Sequence, residues 1–397
     1  MSDLVLVINA GSSSLKYSLV DAGSGEATAT GLVERIGESG SSQLHRGPNG
    51  ESRGDEPIAT HEEALRTAVA AFETHGPSLS GTDLAAVGHR VVHGGARFST
   101  PTLVDDALVA GVGELTPLAP LHNPANLEGI EVARRLFPDV PHVAVFDTAF
   151  HHTLPPHAYT YAAPFEWSEN HGIRRYGFHG TSHSFVSRQA AQMLGRDPAE
   201  VNLIVLHLGN GCSATAVRGG RSVDTSMGLT PLEGLVMGTR SGDIDPAIHA
   251  HLARELGWSI DEIDRVLNSE SGLKGLTGDN DFREVLRRRD AADVRAQLGF
   301  DVYCYRIKKY IGAYYAVLGT VDAVVFTAGV GQHSADVRAT SLRGLESLGI
   351  SIDAGRNSEL SGTAGVVSAD DSRVAVLVVA TNEEWEIARQ ALQIVRA

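Results

Sequence analysis

The sequence predicts an α/β protein that consists of two related domains. Short apolar runs at Leu4–Ile8, Leu203–Leu208 and Asp322–Thr327 have the length and the Val, Ile and Leu content of buried strands, and each run ends in a glycine-containing turn. The segments Leu4–Val20 and Leu203–Val217 share one plan: an apolar strand, a turn of Asn, Gly and small residues, and a second strand. We therefore expect a duplicated fold with one glycine turn in each half.

Composition excludes several classes of function. The chain has 397 residues, 42% of them hydrophobic and 20% charged, as in ordinary globular proteins. A net charge of -15 without a block of Lys or Arg disfavours binding to nucleic acid or to an anionic membrane surface. Apolar runs such as Val374–Ala380 are far shorter than the ~20 residues of a membrane span. No signal peptide is recognisable, and two cysteines make no disulfide framework, so we expect a cytoplasmic protein.

The first hairpin carries polar residues suited to a phosphate. The turn Asn9–Ser14 follows the first strand, and in an extended chain Ser12, Ser14 and Lys16 project from one face because side chains alternate. Two hydroxyl groups and one ammonium group would make a row facing phosphate. A polar hairpin rim without any function is an equally good interpretation of this stretch alone.

The next stretch is predicted to be scaffold. Gly37–Pro57 is rich in Gly, Ser and charge, which favours a solvent-exposed excursion. Thr60 and Glu63 form a capping-box pattern at the start of an amphipathic helix, and Gly76 is expected to end it.

Two charged residues then coincide with predicted buried strands. Arg90 lies inside the apolar run Val87–Gly95, where an arginine is costly unless it is paired or faces a cleft. A structural salt bridge and a ligand-binding role fit it equally well. Asp147 follows the short strand Val143–Phe146, at the carboxyl end where α/β folds bind their ligands. Between them, Asn123 and the proline after it mark the N-cap and first position of a helix.

The segment Arg174–His183 is dense in polar residues. Ser182 is the expected cap of the helix that follows it. His179 and His183 have the four-residue spacing of zinc-binding helices, but glycine occupies the position of the glutamate that such sites carry after the first histidine. The pattern therefore disfavours zinc.

The centre of the chain is predicted to be the active-site region. The turn Gly209–Gly211 can bring backbone N–H groups against a phosphate, because glycine lets the chain pass close. The segment Asp224–Pro246 has too much glycine for a helix and is too long for an idle connector, so we expect a structured loop that presents Arg240. Further on, we expect a glycine turn at Ala328–Gly331 and a terminal helix with a capping box started by Thr381.

Two common nucleotide-binding patterns do not occur. The sequence has no P-loop, and no GxGxxG follows a strand, so neither a Walker NTPase nor a Rossmann dehydrogenase is supported. The prolines Pro155, Pro156 and Pro164 indicate a domain boundary near residue 150.

Taken together, the motifs resemble the acetate kinase family, in the family's order and over nearly the whole chain. The matching segments are Asn9–Lys16, His89–Gly95, Leu118–Asn123, Phe146–Phe150, Arg174–His183, His207–Ser213, Asp224–Pro246, Asp281–Arg283 and Thr381–Glu384. The resemblance implies two duplicated actin-like, ribonuclease H-like α/β domains around a nucleotide-binding cleft. It divides the chain into residues 1–150 with 384–397 and residues 151–383. It also implies reversible phosphoryl transfer between ATP and acetate, Mg²⁺ (or Mn²⁺) as cofactor, and a homodimer.

The resemblance further implies a role for individual residues. It assigns the metal to Asn9 and Glu383. It assigns catalysis to Asp147, His179 and Arg240, and acetate binding to Arg90, Val92, Leu121 and Phe178. It assigns ATP to Ser12, Ser14, Lys16, His207, Leu208, Gly209, Asn210, Gly211, Asp281, Phe282, Arg283, Gly329, Val330, Gly331, Gln332 and His333.

At three positions the residues themselves add to, or differ from, what the resemblance implies. Acetate is already an anion at neutral pH and needs no base, so we expect Asp147 to orient Arg240 or a metal-bound water. The family usually has Gly-x-Gly-Glu-Asn where this chain has Gln332 and His333, which bears on nucleotide preference. Cys212 replaces a small residue, and we expect a buried, inert thiol.

Two alternatives remain at the level of the sequence. A propionate or butyrate kinase would share this architecture, and one or two methylene groups give only ~1–3 kcal/mol of discrimination. From a different class, a nucleotide-driven switch related to chaperone ATPases would hydrolyse ATP without phosphorylating an acid. Three cationic or polar residues (Arg90, His179 and Arg240) would then have no anionic acceptor.

Overall fold

The computed structural model describes residues 3–80, 82–360 and 362–397, and the chain divides into two compact units. The first unit comprises Met1–His152 together with Asn382–Ala397, and the second comprises Thr153–Thr381. Both units are α/β.

The strands are β1 Leu4–Ala10, β2 Ser14–Asp21, β3 Ala27–Glu34, β4 Ser42–Gly47, β5 Gly50–Gly54, β6 Ala86–Val91, β7 Thr102–Leu103, β8 His142–Phe146, β9 Asn202–Leu208, β10 Cys212–Arg218, β11 Arg221–Thr225, β12 Ala323–Thr327, β13 Gly365–Val366 and β14 Ala375–Val378. The helices are α1 His61–His75, α2 Asp106–Glu114, α3 Asn123–Leu136, α4 Pro156–Tyr159, α5 Phe165–His171, α6 Gly180–Met193, α7 Ala247–Leu256, α8 Ile260–Ser269, α9 Gly272–Thr277, α10 Phe282–Asp290, α11 Val294–Leu318, α12 Ala328–His333, α13 Ala335–Leu342, α14 Ala354–Glu359 and α15 Glu383–Arg396.

The sheet of the first unit has the strand order β5-β4-β3-β2-β1-β6-β8-β7. Strand β1 pairs antiparallel with β2 and parallel with β6, and β6 pairs parallel with β8. One face of the sheet packs Val5 and Val145 against Ile387 of α15, while the other packs Leu6 against Phe72 of α1 and residues of α3. Because side chains alternate along β1, neighbouring apolar residues serve opposite cores.

The sheet of the second unit repeats this topology. Its order is β11-β10-β9-β12-β14-β13, with β9 antiparallel to β10 and parallel to β12, and β12 parallel to β14. It therefore corresponds strand for strand, in order and direction, to β3-β2-β1-β6-β8-β7. The predicted α/β class and the predicted repeat of the two hairpins are confirmed.

The segment Gly37–Pro57, predicted to be a solvent-exposed excursion, contains strand pairing that the prediction did not include. Part of that segment forms the β4–β5 hairpin, which extends the first sheet beyond β3. Apart from the buried His45, its residues are exposed or partly buried, so the polar composition that suggested an excursion reflects an edge hairpin with little apolar side-chain burial.

Helix ends differ from the predictions in three places. The helix predicted to be capped by Asn123 has His122 at its N-cap. Helix α6 starts at Gly180, not after Ser182, because His179 adopts a left-handed backbone conformation with φ 56° and becomes the N-cap. The cap of α15 is Asn382, whose side chain accepts a hydrogen bond from the backbone N–H of Trp385. Thr381 does not cap the helix.

The predicted cap of α1 is confirmed, since the hydroxyl of Thr60 accepts a hydrogen bond from the N–H of Glu63 and the helix ends at His75 before Gly76. Within the described ranges, the hydropathy of every helix falls short of what a membrane crossing requires.

Candidate active site

In the first unit, Arg90 and Asp147 form a buried ion pair. Strands β6 and β8 are parallel neighbours, and Asp147 follows directly after the last residue of β8. The Arg90 Nη2 group donates to Asp147 Oδ2 at 2.5 Å, and Nε donates to both carboxylate oxygens at 3.1 Å. The two side chains are 22% and 2% exposed. The pair therefore fixes the guanidinium group at the carboxyl end of the sheet.

The ion pair changes the interpretation of Asp147. Burial disfavours the charge on Arg90, yet Asp147 and Glu383 together raise the pKa of the guanidinium above its ordinary value. The sequence had suggested that Asp147 orients Arg240 or a metal-bound water. In the structure its carboxylate pairs with Arg90, and a role toward Arg240 or a metal-bound water stays a prediction.

Asn9, Lys16, Glu383 and Glu384 lie around Arg90. Asn9 and Lys16 are cross-strand partners in the β1–β2 hairpin, and Lys16 forms an ion pair with Glu384. Arg90 Nη1 donates to the side-chain oxygen of Asn9 at 3.4 Å. Burial raises the pKa of Glu383 from 4.5 to about 7, helped by Asp147 and Glu384 and opposed by Arg90 and Lys16.

The residues assigned to a metal meet the chemical requirements of Mg²⁺. Asn9 and Glu383 line the same small cavity of about 10 Å³ and supply an amide and a carboxylate oxygen, the ligand atoms that Mg²⁺ prefers. Among the described residues, no group of three or more His, Cys, Asp or Glu side chains could hold a metal. Mg²⁺ commonly uses one or two protein ligands and completes its coordination with substrate phosphates and water.

The other predicted residues of the first unit differ in burial. Val92 is 9% exposed and its N–H donates to the side chain of Asn126, whereas Leu121 is 67% exposed. Ser12 is exposed and Ser14 is half-buried at the start of β2.

In the second unit, His179 and Arg240 meet at the glycine turn between β9 and β10. A Cβ atom placed on Gly211 would lie 3.4 Å from the His179 ring, at Cε1 and Nε2, and 3.8 Å from Arg240 Nη1. The turn itself is closed by a hydrogen bond from the Gly209 N–H to the Gly211 carbonyl. Glycine at 211 therefore leaves room beside an imidazole and a guanidinium, and burial lowers the pKa of Arg240.

Hydrogen bonds hold the histidine ring in this place. Nδ1 of His179 lies 2.9 Å from the hydroxyl of Ser213, and that hydroxyl lies 2.7 Å from Nε2 of His183. The His179 ring also stacks on His207, with centroids 4.2 Å apart. In the structure, the rings of His179 and His183 therefore both contact the hydroxyl of Ser213.

The loop that carries Arg240 is anchored at both ends of its turn. The Met237 N–H donates to the Arg240 carbonyl, and the Gly238 N–H donates to the carbonyl of Asn210 in the glycine turn. The N–H groups of Leu273 and Lys274, in the first turn of α9, donate back to Met237 and Gly238. The predicted structured loop is confirmed, with Arg240 on a hydrogen-bonded turn.

Arg175 fastens the start of the same loop. Its Nη1 group donates to the carbonyls of Thr225, Ser226 and Met227 at 2.9–3.1 Å, and its Nη2 pairs with Glu233. Although burial opposes the charge, Glu233 holds the pKa of Arg175 above its ordinary value. No sequence pattern distinguishes this arginine from its neighbour, because most of its partners are backbone carbonyls.

A cavity of about 760 Å³ adjoins the glycine turn. Its size is within the usual range for small-molecule sites. The residues lining it include Gly209, Asn210, Asp281, Phe282, Arg283, Gly329, Val330 and His333. Residues predicted to bind the adenosine and the phosphates therefore share one cavity of the second unit.

The predicted glycine turn at Ala328–Gly331 is the first part of helix α12. Gly331 and Gln332 turn their carbonyls toward Arg338, whose Nη1 donates to both. Arg338 is fully buried and also binds Asn357. Of the two residues that differ from the family motif, His333 lines the cavity, and the backbone carbonyl of Gln332 accepts a hydrogen bond from the buried Arg338.

Cys212 is buried, as predicted. Its side chain is 0% exposed and lies 3.3 Å from the Tyr303 hydroxyl. Burial raises the pKa of the thiol to about 11. A thiol that stays protonated is a poor nucleophile, which agrees with an inert packing role.

Sequence reasoning passed over Ser213 and Glu384. Ser213 faces His207 across the β9–β10 ladder, so the strand alternation could have placed its hydroxyl beside the histidines. Glu384 was interpreted as part of a capping box, and its ion pair with Lys16 depends on where α15 packs.

Comparison with known proteins gives consistent matches over the full length. A family model described as the Acetokinase family matches residues 4–389. An acetate kinase of Leifsonia xyli is 59% identical over 99% of both chains, and one of Streptomyces avermitilis is 58% identical over 98% of this chain and 97% of the relative. The crystal structure of Porphyromonas gingivalis acetate kinase superposes with a TM-score of 0.94 at 41% identity, covering 98% of this chain and 99% of that chain. A propionate kinase from Francisella tularensis gives 0.93 at 41% identity, covering 99% and 100%.

Proposed function

Because this chain belongs to the acetokinase family, whose relatives of known name are phosphotransferases, we propose that it transfers the γ-phosphoryl group of ATP to acetate and catalyses the reverse reaction from acetyl phosphate and ADP. The observation that carries the proposal is the meeting of His179 and Arg240 at the glycine turn that adjoins the large cavity of the second unit.

Phosphoryl transfer requires aligned reactants and positive charge around the transferred group more than it requires covalent catalysis. The transferred group carries negative charge on three equatorial oxygens, and donors that are already in place stabilise it without reorganisation. We assign this task to the Arg240 guanidinium and to an N–H of His179. The rigid loop around Arg240 and the hydrogen-bonded ring of His179 are the preorganisation that such a role needs.

Arg90 is assigned to the acceptor. A guanidinium group matches a carboxylate or a phosphate in geometry and charge. Asp147 uses its carboxylate to hold Arg90, so its contribution is to keep the guanidinium ionised and oriented. Acetate, already ionised, attacks the γ-phosphorus directly and ADP leaves, so no proton is transferred from the acid.

The metal belongs to this proposal as well. Mg²⁺, with Asn9 and Glu383 as its protein ligands, would supply positive charge to the nucleotide phosphates. Glu383 is suited to such a role because its burial makes the carboxylate costly without a cation. The side chains of Ser12, Ser14 and Lys16 and the turn from His207 to Gly211 are assigned to the phosphates, and the residues lining the large cavity to the nucleoside.

Acetate is the proposed acceptor, and propionate is the second candidate. The relatives of 58–59% identity are named acetate kinases, whereas the propionate kinase of F. tularensis is 41% identical, as is the acetate kinase of P. gingivalis, so overall similarity favours acetate. Val92, Leu121 and Phe178 are assigned to the methyl group, and small apolar pockets discriminate by only about 1–3 kcal/mol per methylene.

Hydroxylamine trapping tests the function. Hydroxylamine converts an acyl phosphate to a hydroxamate, so the chain is incubated with ATP, Mg²⁺ and acetate, propionate or butyrate in parallel. The proposal expects hydroxamate formation that requires both ATP and the acid, fastest with acetate. ATP loss without hydroxamate in all three reactions would support a switch ATPase and contradict the proposal.

The homodimer stays a prediction. Light scattering should give a molar mass of twice the 42.0 kDa of one chain, and a mass of 42.0 kDa would contradict it.

A further inference from the structure

We propose that Ser213 is a positioning residue that keeps His179 in the tautomer with its proton on Nε2, and that His183 sets the direction of the Ser213 hydroxyl. The inference rests on the role proposed above for His179, and it concerns two residues to which that role assigns nothing. Three buried or partly buried groups carry it, in a chain of two hydrogen bonds.

The backbone of His179 does not orient its own ring. The residue has φ 56°, the left-handed conformation, and precedes the first turn of α6. Side-chain orientation at such a position is not set by the helical rotamer preferences that act one turn later at His183. The contact at 2.9 Å with Ser213 is therefore a main constraint on the plane of the ring.

The serine hydroxyl has one proton and two lone pairs, so it either donates to one histidine and accepts from the other, in either direction, or accepts from both. If Ser213 donates to Nδ1 of His179, then Nε2 of His183 must donate to Ser213, and neutral His179 carries its own proton on Nε2. If the hydroxyl is reversed, Nδ1 of His179 must be the donor, and neutral His179 has a bare Nε2. Only when Ser213 donates to Nδ1 does a neutral His179 carry an N–H on Nε2, the ring nitrogen beside Gly211; whenever Nδ1 is the donor, Nε2 is bare.

The surroundings favour a neutral His179 ring. The charged groups facing the glycine turn include Arg240. A Cβ atom placed on Gly211 would lie 3.8 Å from Nη1 of Arg240 and 3.4 Å from the His179 ring. A second cation beside the same glycine as the partly buried guanidinium of Arg240 is disfavoured. The His207 ring stacks on the other side at 4.2 Å between centroids. In a neutral ring, a proton on Nε2 leaves Nδ1 as an acceptor, so the Ser213 hydroxyl must donate to Nδ1 of His179.

This arrangement explains why a hydroxyl stands at a fully buried position of a strand. Ser213 and Thr215 are both 0% exposed on β10 and alternate onto the same face. Thr215 binds Thr225 on the next strand at 2.9 Å, a purely structural contact. Ser213 instead binds two histidines on α6 and at its N-cap, which links strand β10 to the proposed catalytic group.

The first experiment compares Ser213→Ala with Thr215→Val. Both variants remove one buried hydroxyl from the same strand, so a purely structural effect would be similar in the two. We expect Ser213→Ala to lower kcat about ten- to hundredfold, as for a misdirected donor to a transition state, with KM for ATP changed by less than about threefold. Thr215→Val should keep kcat within about threefold of the parent. Equal losses of kcat in both variants would overturn the proposal.

The second experiment tests the direction of the hydroxyl through His183. Glutamine can place an amide N–H near the position of Nε2, whereas leucine has no donor. His183→Gln should therefore retain at least about tenfold more kcat than His183→Leu, with both variants checked for the folded state by circular dichroism. Equal activity of two folded variants would overturn the role of His183.

The third measurement does not depend on catalysis. Long-range ¹H–¹⁵N spectra of the protein with ¹⁵N-labelled histidine report which nitrogen carries the proton, and a His179→Gln variant identifies the signal. We expect the parent to show an Nε2–H His179, and Ser213→Ala to show a mixture of tautomers. An Nδ1–H tautomer in the parent would overturn the inference even if acyl phosphate is formed, whereas an Nε2–H tautomer in a protein that forms no acyl phosphate would contradict only the proposed function.

Discussion

Replacing Asp147 by asparagine removes the negative partner of Arg90 with almost no change in shape. The carboxylate is 2% exposed and accepts three hydrogen bonds from a guanidinium that is 22% exposed. Removing one partner of a buried ion pair typically costs about 3–5 kcal/mol because the other charge stays uncompensated. Arg90 is slightly exposed and keeps the asparagine oxygen, so we expect a loss near 3 kcal/mol, or about 6–12 °C in Tm for a unit of this size.

An exposed pair of the same type provides the control. Asp106 pairs with Arg134 at 3.0 Å, but its side chain is 96% exposed. Asp106→Asn should cost less than about 1 kcal/mol, because an exposed pair is solvated in both states. Thermal unfolding followed by circular dichroism measures both variants. Equal shifts in Tm for Asp147→Asn and Asp106→Asn would refute the reasoning.

A double variant separates stability from function. Replacing the whole pair by apolar residues, Arg90→Met with Asp147→Leu, removes both buried charges and should recover most of the lost stability. The same variant should form no acyl phosphate, because it lacks the Arg90 guanidinium proposed to bind acetate. In the Asp147→Asn variant, a pH–rate profile that loses one ionisation would instead mean that Asp147 transfers a proton.

Three further predictions follow from single sites. The pKa of Glu383 is about 7 in the folded, metal-free protein and near 4.5 in the unfolded chain, so stability should fall by on the order of 3 kcal/mol as pH rises through this window. Urea titrations should show no such fall in Glu383→Gln. Gly211→Ala should reduce kcat at least about tenfold, because its methyl group, in van der Waals contact with His179 and Arg240, would fill the space proposed for the phosphoryl group. Gly312→Ala, where an added Cβ meets nothing within 4 Å, should keep the parent's steady-state rate. Burial raises the thiol pKa values of Cys212 and Cys304 to about 11 and about 12. Both thiols should therefore react with a thiol reagent only after unfolding, and rapid labelling of the native chain would contradict this.

The sequence predicted the parts of the fold that depend on local pattern. The apolar runs at β1, β9 and β12 and the glycine turns after β1 and β9 follow from composition and periodicity, so the repeat of the two hairpins was recognisable. The β4–β5 hairpin was not, because an edge hairpin buries few side chains and shows no apolar alternation.

The site was predictable as a set of residues and not as a set of contacts. The motifs named Arg90, Asp147, His179 and Arg240, but only the placement of β6 beside β8 shows that the first two bind each other. The partner of His179 was missed for a related reason. Ser213 reaches it through the packing of α6 on β9, which no local pattern encodes.

In the proposed reaction, a phosphoryl group passes from ATP to a small carboxylate. Phosphorus-31 NMR of the chain with ATP, Mg²⁺ and acetate observes every phosphorus species at once. We expect an acetyl phosphate resonance that grows together with ADP and that vanishes when acetate is left out. ADP and inorganic phosphate alone, formed at the same rate with and without acetate, would contradict it.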